Sequence, residues 1–371
     1  MYNSNIHKKG NVTTRQRFHI AASLRPRTGC KEELPLNQRA TIRDVALAAK
    51  VSPSTVSRYF NDTGYVSIKT RRRIENAVTR MGYEPNLVAR GLKSGRSRLI
   101  VLGVPDIGNP YYARMAKTAQ PLCEERGYAL VLVDFGEKQP RKAEPFALAK
   151  RICAAGILLA SVDPCSHIDS SGIPMVGMCA YEEPGASDVV TVHESGGINL
   201  AVSHLAALGH RDIFYVGGLR DSGVARGRRE SFLRQMALEG LPVSENAIIE
   251  TGFSQEDGYL ACLAFMSRPQ RPTAICCAND LLAFGVMNAL IDLNIPMPEM
   301  VSVTGMDDIP FAPISNPRLT TVTNDSALFT REAFSMLADR IEGRYDGPAR
   351  HVQIPNRLII RDSTCPPRQG R

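Results

Sequence analysis

The chain has 371 residues, 43 % of them hydrophobic, and a formal net charge of +8 at pH 7. This length allows two or three domains with hydrophobic cores of their own. No apolar run approaches the roughly eighteen residues that span a bilayer, and residues 1–40 lack the apolar stretch of a secretory signal. Neither a membrane-embedded nor an exported protein is therefore expected.

The excess positive charge is confined to the amino-terminal quarter of the chain. Residues 1–98 hold 20 Lys and Arg against 6 Asp and Glu, a net of +14, whereas residues 99–371 hold 25 against 31, a net of −6. Such segregation indicates a small unit that binds a polyanion, joined to an acidic body. A solvated basic tail would explain residues 1–39 but not residues 40–98, where the charges lie within helical patterns.

Residues 1–38 have several basic side chains but few periodic apolar positions. They are expected to be a disordered basic extension that adds at most nonspecific affinity for DNA.

Residues 39–84 are predicted to form three short helices. Apolar residues recur at i, i+3, i+4 and i+7 from Ile42, which is helical spacing, and the third helix stops at Gly82. Each helix is preceded by a residue that caps helix N-termini well; these residues are Thr41, Ser52 and Ser67. A tight turn at Lys50 makes the first two helices a helix-turn-helix.

The second of these helices has two different faces. Val56, Tyr59 and Phe60 are expected to anchor it to the other two helices. The opposite face would be presented to a partner, and it carries Pro53, Ser54, Ser57 and Arg58.

From Leu99 onward, apolar strand-like runs alternate with helical ones. The candidate strands are LIVLGV, YALVLVD, GILLAS, IPMVGM, DVVTV, DIFYVGG, TAICCAND and VSVTGM. Several are apolar throughout, as strands buried on both faces are, and helical stretches such as DLLAFGVMNALIDLN lie between them. This alternation predicts an α/β body with doubly wound parallel sheets.

No pattern in the sequence indicates an enzyme, a metal site or a cofactor. The nine cysteines form no CxxC pair and no Cys/His ligand cluster, which is typical of reduced thiols in a cytoplasmic protein. HExxH, GxSxG, the P-loop and a GxGxxG after a strand are all missing.

The motifs in their order resemble the LacI family of bacterial transcriptional regulators (the LacI/GalR type). The head carries ATIRDVALAAKVSPSTVSRYFN, and the body continues with VPDIGNPYY, HLAALGHRDIFYVGG, AICCANDLLAFG, VSVTGMDDIPFA and RLIIRDST. The resemblance covers residues 40–364. It implies a repressor that binds a pseudo-palindromic operator as a homodimer and is controlled by a small polar effector, with a sugar or sugar acid favoured.

The resemblance also implies the domain organisation. The body would fold like type I periplasmic sugar-binding proteins, with two α/β lobes around an effector cleft. The expected segments are a basic extension (1–38), a helix-turn-helix head (39–84), a hinge helix and linker (85–97), the body (98–364) and a tail (365–371). Lobe 1 would comprise about 98–194 and 324–353, and lobe 2 about 195–323 and 354–364.

In the head, the family commonly has glycine in the turn where this chain has Lys50, which implies a positive φ there. The resemblance assigns base reading to the outward face of the second helix. Arg58 has the fork that matches guanine O6 and N7 in the major groove, and Pro53 and Ser54 stand at the family's other reading positions. Phosphate contacts, which hold the register on the duplex, would come from Thr41, Thr55, Ser57 and Asn61, and Ser52 is also expected to contact DNA. For Thr55 and Ser57, local solvation of the helix is the alternative.

In the linker, the resemblance implies a hinge helix that folds on the minor groove. Leu92 would wedge into the central base step, as apolar side chains do in proteins that bend DNA there. Ala89 would lie at the close helix approach, with Arg90 and Lys93 beside phosphates. The alternative for Leu92 is an ordinary linker contact with the body.

In the cleft, the effector is expected after the carboxyl ends of the strands. Family positions are occupied here by Tyr111, Tyr112, Arg228 and Phe253. Asn279 and Asp307 end two of the predicted strands, and their amide and carboxylate suit sugar hydroxyls or a ring N–H. One of the two tyrosines could instead be core, and Asn279 and Asp307 could instead cap the helices that follow them. His193 stands where the family often has aspartate and is only a possible cleft residue.

Two other classes of protein share parts of this pattern. A solute receptor for transport would have the same body but a signal peptide and no basic head, and a Rossmann-type oxidoreductase would need the missing glycine fingerprint. The tail after Thr364 has no leucine heptad, so a dimer rather than a tetramer is expected.

Overall fold

The computed structural model describes residues 40–61, 64–83, 97–136, 141, 143–161, 172–179, 187–192, 197–218 and 222–368. The chain divides after Pro85 into two compact units, here called the head and the body, and each is described by itself. Five positions singled out in the sequence lie outside the described residues: Ala89, Arg90, Leu92, Lys93 and His193.

The head consists of the three predicted helices. They are Ile42–Ala49 (α1), Pro53–Asn61 (α2) and Ile68–Met81 (α3). Thr41 forms a capping box with Asp44, in which the Thr41 backbone N–H donates to the Asp44 carboxylate at 2.8 Å. Hydrogen bonds from Thr41 lower the pKa of this carboxyl. The caps therefore fix where the head's helices begin, as the sequence predicts.

The turn between α1 and α2 is left-handed at Lys50. This residue has φ 51° and ψ 50°, and its N–H closes the last turn of α1. The Arg73 guanidinium donates to the Lys50 carbonyl oxygen at 3.0 Å, so α3 supports the turn. The expectation of a positive φ here is confirmed.

The head has a small core that all three helices share. Val45, Ala49, Val56, Ile74 and Ala77 are buried in it. Tyr59 and Phe60 are half-buried against the same cluster, so the predicted anchoring face of α2 is confirmed.

The body contains two six-stranded sheets. The first, the sheet of lobe 1, has the order β11-β5-β4-β3-β1-β2 and is parallel throughout. Its strands are Leu99–Val104 (β1), Ala129–Asp134 (β2), Gly156–Ser161 (β3), Met175–Cys179 (β4), Asp188–Val192 (β5) and His351–Ile354 (β11). All six residues of β1 are buried, as expected for an apolar strand inside a parallel sheet.

The second sheet, that of lobe 2, has the order β12-β10-β9-β8-β6-β7. Its strands are Ile213–Gly218 (β6), Ile248–Thr251 (β7), Ala274–Cys277 (β8), Ser302–Met306 (β9), Thr320–Thr323 (β10) and Arg357–Ile359 (β12). Only β12 is antiparallel to its neighbour among these strands. The short strands β7, β10, β11 and β12 were not among the predicted ones, because three or four residues with polar members show no clear period.

Helices cover both sheets. Lobe 1 carries Pro110–Glu125 (α4), Glu144–Arg151 (α5) and Ser326–Ile341 (α10), and lobe 2 carries Ile198–Ala207 (α6), Gly223–Leu238 (α7), Gln255–Met266 (α8) and Asp280–Asp292 (α9). In lobe 2, α8 and α9 pack closely at two glycines: a methyl group on Gly285 would overlap the Gln255 carbonyl, and one on Gly258 would overlap that of Leu282. The predicted α/β architecture with a helix-turn-helix head is confirmed.

The chain passes between the two lobes three times. It leaves lobe 1 after β5, returns from β10 into α10 through Asn324 and Asp325, and leaves again between β11 and β12. Gly197 lies at the first crossing with φ 79°, and a side chain there would overlap Val322 of β10 and crowd Asn356, so the first crossing packs against the third. Across the described ranges, no helix has both the length and the apolar content to cross a bilayer.

Candidate functional site

The outward face of α2 is open to solvent. Ser52, Pro53, Ser54 and Arg58 are exposed, whereas Thr55 and Ser57 are half-buried. The side chain of Asn61 lies outside the described residues. A helix with this face outward can enter a major groove with its N-terminal residues toward the bases.

Hydroxyl groups at the start of α2 hydrogen-bond to one another. The Ser52 hydroxyl lies 2.7 Å from that of Ser54 and 2.8 Å from that of Thr55, and it accepts from the Thr55 backbone N–H at 3.2 Å. Thr55 is therefore engaged with the residue that caps its own helix. Because these hydroxyls are accessible and can rotate, the same groups can also donate to a phosphate.

The face is held in place from behind by α3. The Tyr59 hydroxyl donates to Glu75 at 3.3 Å, and the Arg71 guanidinium lies 5.7 Å from the centre of the Tyr59 ring. The described part of the head contains eight Lys and Arg but only two acidic residues, Asp44 and Glu75. The head is thus a cationic unit in which α2 presents one exposed face.

The body contains a pocket between its lobes. It encloses about 530 Å³, its open mouth included. All six predicted effector residues line it, together with Asn109, Met115, Met178, Val192, Val224, Asn324 and Phe329. Residues from lobe 1 and from lobe 2 contribute, and the sequence prediction did not include the last seven.

Arg228 on α7 is the polar centre of this pocket. It is 8 % exposed, and its Nη1 donates to the Ala278 carbonyl at 2.6 Å. Its Nη2 lies 3.6 Å from Asp307 Oδ1, which is longer than a hydrogen bond. Arg228 Nε and Asp307 Oδ1 have no hydrogen-bond partner within the described residues.

Asp307 follows β9 at the same place. It is 7 % exposed, and burial raises its pKa to about 6 although Arg228 acts in the opposite direction. Behind it, Asp280 is fully buried, and burial together with the charge of Asp307 raises its pKa well above the usual value. Asp280 is occupied by hydrogen bonds from the Ile309 N–H at 2.8 Å and the Thr321 hydroxyl at 2.5 Å.

These geometries give the pocket a defined chemistry. The buried arginine and the buried carboxylate do not form a hydrogen bond with each other, and they leave a free donor beside a free acceptor. A ligand oxygen that both accepts and donates, such as a hydroxyl, would satisfy both.

Aromatic side chains form the apolar part of the pocket. The rings of Tyr111 and Tyr112 meet edge to face with centres 5.3 Å apart, and Tyr111 packs against the cores of both lobes. Burial and then the charge of Asp307 raise the pKa of Tyr111, so its hydroxyl stays protonated. Phe253, after β7, packs closely over Gly218. Tyr111 is thus both part of the core and part of the pocket wall.

Asn279 also has two roles. Its side-chain oxygen accepts from the Leu282 N–H at 2.8 Å and caps α9, while its nitrogen donates to the Phe253 carbonyl at 3.1 Å. The capping alternative stated for Asn279 is therefore present, and the residue still lines the pocket. Asp307 caps no helix, because the chain after it continues as a loop.

The pocket residues that sequence reasoning missed had weak local signals. Asn324 follows β10, a four-residue strand whose pattern TTVT does not stand out. Asn109 precedes Pro110 and caps α4, a position that the sequence PDIGNPYY does indicate. Elsewhere in the part of the chain that the structure describes, no group of three or more His, Cys, Asp or Glu could hold a metal ion.

Together, the fold and the two sites define a DNA-binding regulator with a ligand-binding type of body. Two family models match the chain: bacterial regulatory proteins of the lacI family over residues 41–86, and the periplasmic binding protein-like domain over residues 202–364. The transcriptional regulator DegA of Bacillus subtilis is 32 % identical over 336 residues, covering 88 % of this chain and 99 % of DegA. The chain belongs to the LacI family of bacterial transcriptional regulators.

Further comparisons agree with this assignment. The transcriptional repressor PurR of Proteus mirabilis is 32 % identical over 332 residues, covering 88 % of this chain and 97 % of PurR. A structure of the lac repressor dimer bound to operator and the anti-inducer ONPF superposes with a TM-score of 0.75 at 24 % identity, covering 88 % of this chain and 100 % of that one. This last likeness shows the fold. The relatives are regulators, and this chain is a transcriptional regulator rather than an enzyme.

Proposed function

We propose that this protein is a cytoplasmic repressor that binds a pseudo-palindromic operator as a homodimer and is controlled by a small polar effector, a sugar or a sugar acid. The observation that carries the proposal is the pocket between the lobes, where Arg228 and Asp307 are buried without satisfying each other. Such a pair costs stability unless a ligand completes its hydrogen bonds. The pocket is therefore better explained as a ligand site than as part of the core.

For the DNA side, the proposal assigns base reading to Pro53, Ser54 and Arg58. The exposure of these side chains and the rigid support behind α2 favour it. Thr41, Ser52, Thr55, Ser57 and Asn61 would hold phosphates, and the linker residues Ala89, Arg90, Leu92 and Lys93 would act in the minor groove.

For the effector side, the proposal assigns contacts to Tyr111, Tyr112, Arg228, Phe253, Asn279 and Asp307. Asn279 would act through the amide atoms that it already uses for the α9 cap and Phe253, so it would shape the wall rather than bind strongly.

Titration of a palindromic fragment from the neighbouring promoter tests the DNA side. Because each neutralised phosphate releases counterions, affinity should fall steeply as salt rises. Arg58→Ala should relax base preference at one position in each half-site by roughly 1–3 kcal/mol. Arg72→Ala, at an exposed arginine of α3, is the matched control and should weaken all sequences equally. Equal losses on every sequence for Arg58→Ala would contradict its reading role.

A thermal-shift screen of sugars, sugar acids and purines tests the effector side, because a ligand of the native state raises its stability. Sedimentation with and without the operator fragment tests the homodimer. A monomer at operator-saturating concentration would contradict it.

A further inference from the structure

Lobe 2 contains three buried polar groups between β6 and α7. They are the Tyr215 hydroxyl, the Ser231 hydroxyl and Nε of Arg228. Tyr215 is 0 % exposed, Ser231 4 % and Arg228 8 %, and none of the three groups has a hydrogen-bond partner among the residues that the structure describes. Buried polar groups are almost always hydrogen-bonded in folded proteins, because leaving them unpaired is destabilising. Their arrangement therefore calls for an explanation.

The Tyr215 side chain extends along β6 toward the carboxyl end of the strand. Its ring stacks on Phe232 of α7, with ring centres 4.9 Å apart, and its hydroxyl lies over Gly217, where a Cβ would overlap it. The pairing of β6 with β8 sets Gly217 beside Ala278 on the neighbouring strand. The hydroxyl is therefore one strand away from the Ala278 carbonyl, to which Arg228 Nη1 donates.

Helix α7 brings the other two groups to the same place. Arg228, Ser231 and Phe232 are all on its buried face, where residues three and four apart are neighbours. The outer nitrogens of Arg228 are directed at the pocket, since Nη1 donates to Ala278 and Nη2 lies 3.6 Å from Asp307 Oδ1. Nε lies on the stem of the side chain, closer to α7, and is the nitrogen that neither contact uses.

The charge of Arg228 is felt at the Tyr215 hydroxyl. Burial and then Cys276 raise the pKa of Tyr215, whereas Arg228 lowers it, as a nearby cation does. Because the hydroxyl stays protonated, it can donate as well as accept. The two hydroxyls and the N–H can all be satisfied by one water molecule, which would accept from Nε and from one hydroxyl and donate to the other. Three such bonds are typical of a buried water.

We propose that a water molecule held between β6 and α7 bridges Tyr215, Ser231 and Arg228, and that Tyr215 is thereby a positioning residue for the arginine of the pocket. The bridge fixes the stem of Arg228 while the Ala278 carbonyl fixes one of its outer nitrogens. Nη2 is then left directed at the ligand space beside Asp307. This role toward a ligand rests on the proposed function, whereas the bridge itself does not.

Tyr215→Phe tests the bridge through the sign of its effect on stability. The variant keeps the stacking on Phe232 and removes only the hydroxyl. If the hydroxyl is hydrogen-bonded to a bridging water, the midpoint of thermal unfolding should fall by about 2–4 °C. If the hydroxyl is unpaired, its removal should raise the midpoint. A raised or unchanged midpoint would therefore overturn the proposal.

A double-mutant cycle tests whether Tyr215 and Ser231 share one partner. Ser231→Ala also gains helix propensity, so the comparison of two backgrounds carries the test rather than the single value. The substitution should be less unfavourable in the Tyr215→Phe protein, where the bridge is already lost, than in the wild type. Ser97→Ala is the matched control, because Ser97 is a buried serine of lobe 1 whose hydroxyl also lacks a partner in the described structure. It should be additive with Tyr215→Phe, and additivity of Ser231→Ala would overturn a shared partner.

A high-resolution crystal structure of the full chain tests the water directly. It should show a density peak within hydrogen-bond distance of all three groups, and the peak should be missing from Tyr215→Phe. A direct hydrogen bond between the Tyr215 and Ser231 hydroxyls, with no peak, would overturn the bridge although the cycle would still show coupling.

The Nε–H resonance of Arg228 in nitrogen-15 spectra tests the positioning role, and its loss in Arg228→Lys assigns it. In Tyr215→Phe it should shift and exchange faster with solvent. The Nε–H of Arg340, which donates to Asp188 at 3.0 Å in lobe 1, is the internal reference and should not change. An unaltered Arg228 resonance would overturn the positioning role. Since no measurement here needs an effector, a protein that passes all of them but binds none would contradict the proposed function and not the bridge.

Discussion

The buried carboxyl of Asp307 predicts a particular dependence of stability on pH. Its pKa in the folded protein is about 6, against 3.8 for an ordinary aspartate. The folded state therefore holds this proton more tightly than the unfolded state does. The resulting stabilisation is fully present below about pH 4 and is lost as pH rises through 6.

The size of the effect follows from the difference between the two pKa values. Each unit corresponds to about 1.4 kcal/mol, so a difference of about two units makes an effect of about 3 kcal/mol. Asp307 interacts with Arg228, with Asp280 and with Tyr111. Because Asp280 titrates together with Asp307, the measured value belongs to the pair of carboxyls.

Comparison of the wild type with Asp307→Asn isolates this contribution. The free energy of unfolding of both proteins would be measured by urea denaturation between pH 4 and pH 7.5, and the difference taken at each pH, so that distant titrating groups cancel. The variant should gain up to about 3 kcal/mol on the wild type as pH rises over this range. A difference that does not change with pH would refute the raised pKa, and a change in the opposite direction would show that the attraction to Arg228 outweighs burial.

Two further predictions concern backbone positions. Lys50→Gly should stabilise the α1–α2 turn by about 1 kcal/mol, because Lys50 adopts a left-handed conformation that L-residues occupy at a cost. Slower hydrogen exchange of the α1 amides would show this stabilisation. The control Lys50→Ala keeps the backbone strain and should leave the exchange rates unchanged. Gly285→Ala should destabilise the body by at least about 2 kcal/mol, because the methyl group would overlap the backbone of α8, whereas Gly227→Ala, with open space around it in α7, should be stabilising by about 0.5–1 kcal/mol. A tolerated Gly285→Ala in thermal unfolding would contradict the close packing of α8 on α9.

The head could be predicted almost completely from the sequence because its signals are local. A cap such as Ser67 acts on an N–H three residues away, and the spacing of Val56 and Tyr59 reports which face of α2 is buried. The long apolar strands of the body were predictable for a similar reason. A run of four to six consecutive apolar residues is easily recognised in a sequence as a buried strand.

Some residues of the pocket could not be found in this way. Asn324 reaches the pocket because β10 lies beside β9 and the chain then crosses to the other lobe, which no short stretch of sequence records. Asn279 shows a second difficulty. The same side chain caps a helix and lines the pocket. The capping role and the pocket role, which the sequence presents as alternatives, are therefore both found in the structure.

The point where the chain enters the body determines which hydrogen bonds oppose a force applied through the linker. Ser97 is buried, and its N–H donates to the Cys153 carbonyl at 2.7 Å immediately before β1. Since β1 is an interior strand held on both sides by β2 and β3, tension along it is opposed by hydrogen bonds to two neighbouring strands, whereas an outer strand is held by only one. Lobe 1 therefore provides a mechanically firm attachment point for whatever the linker carries.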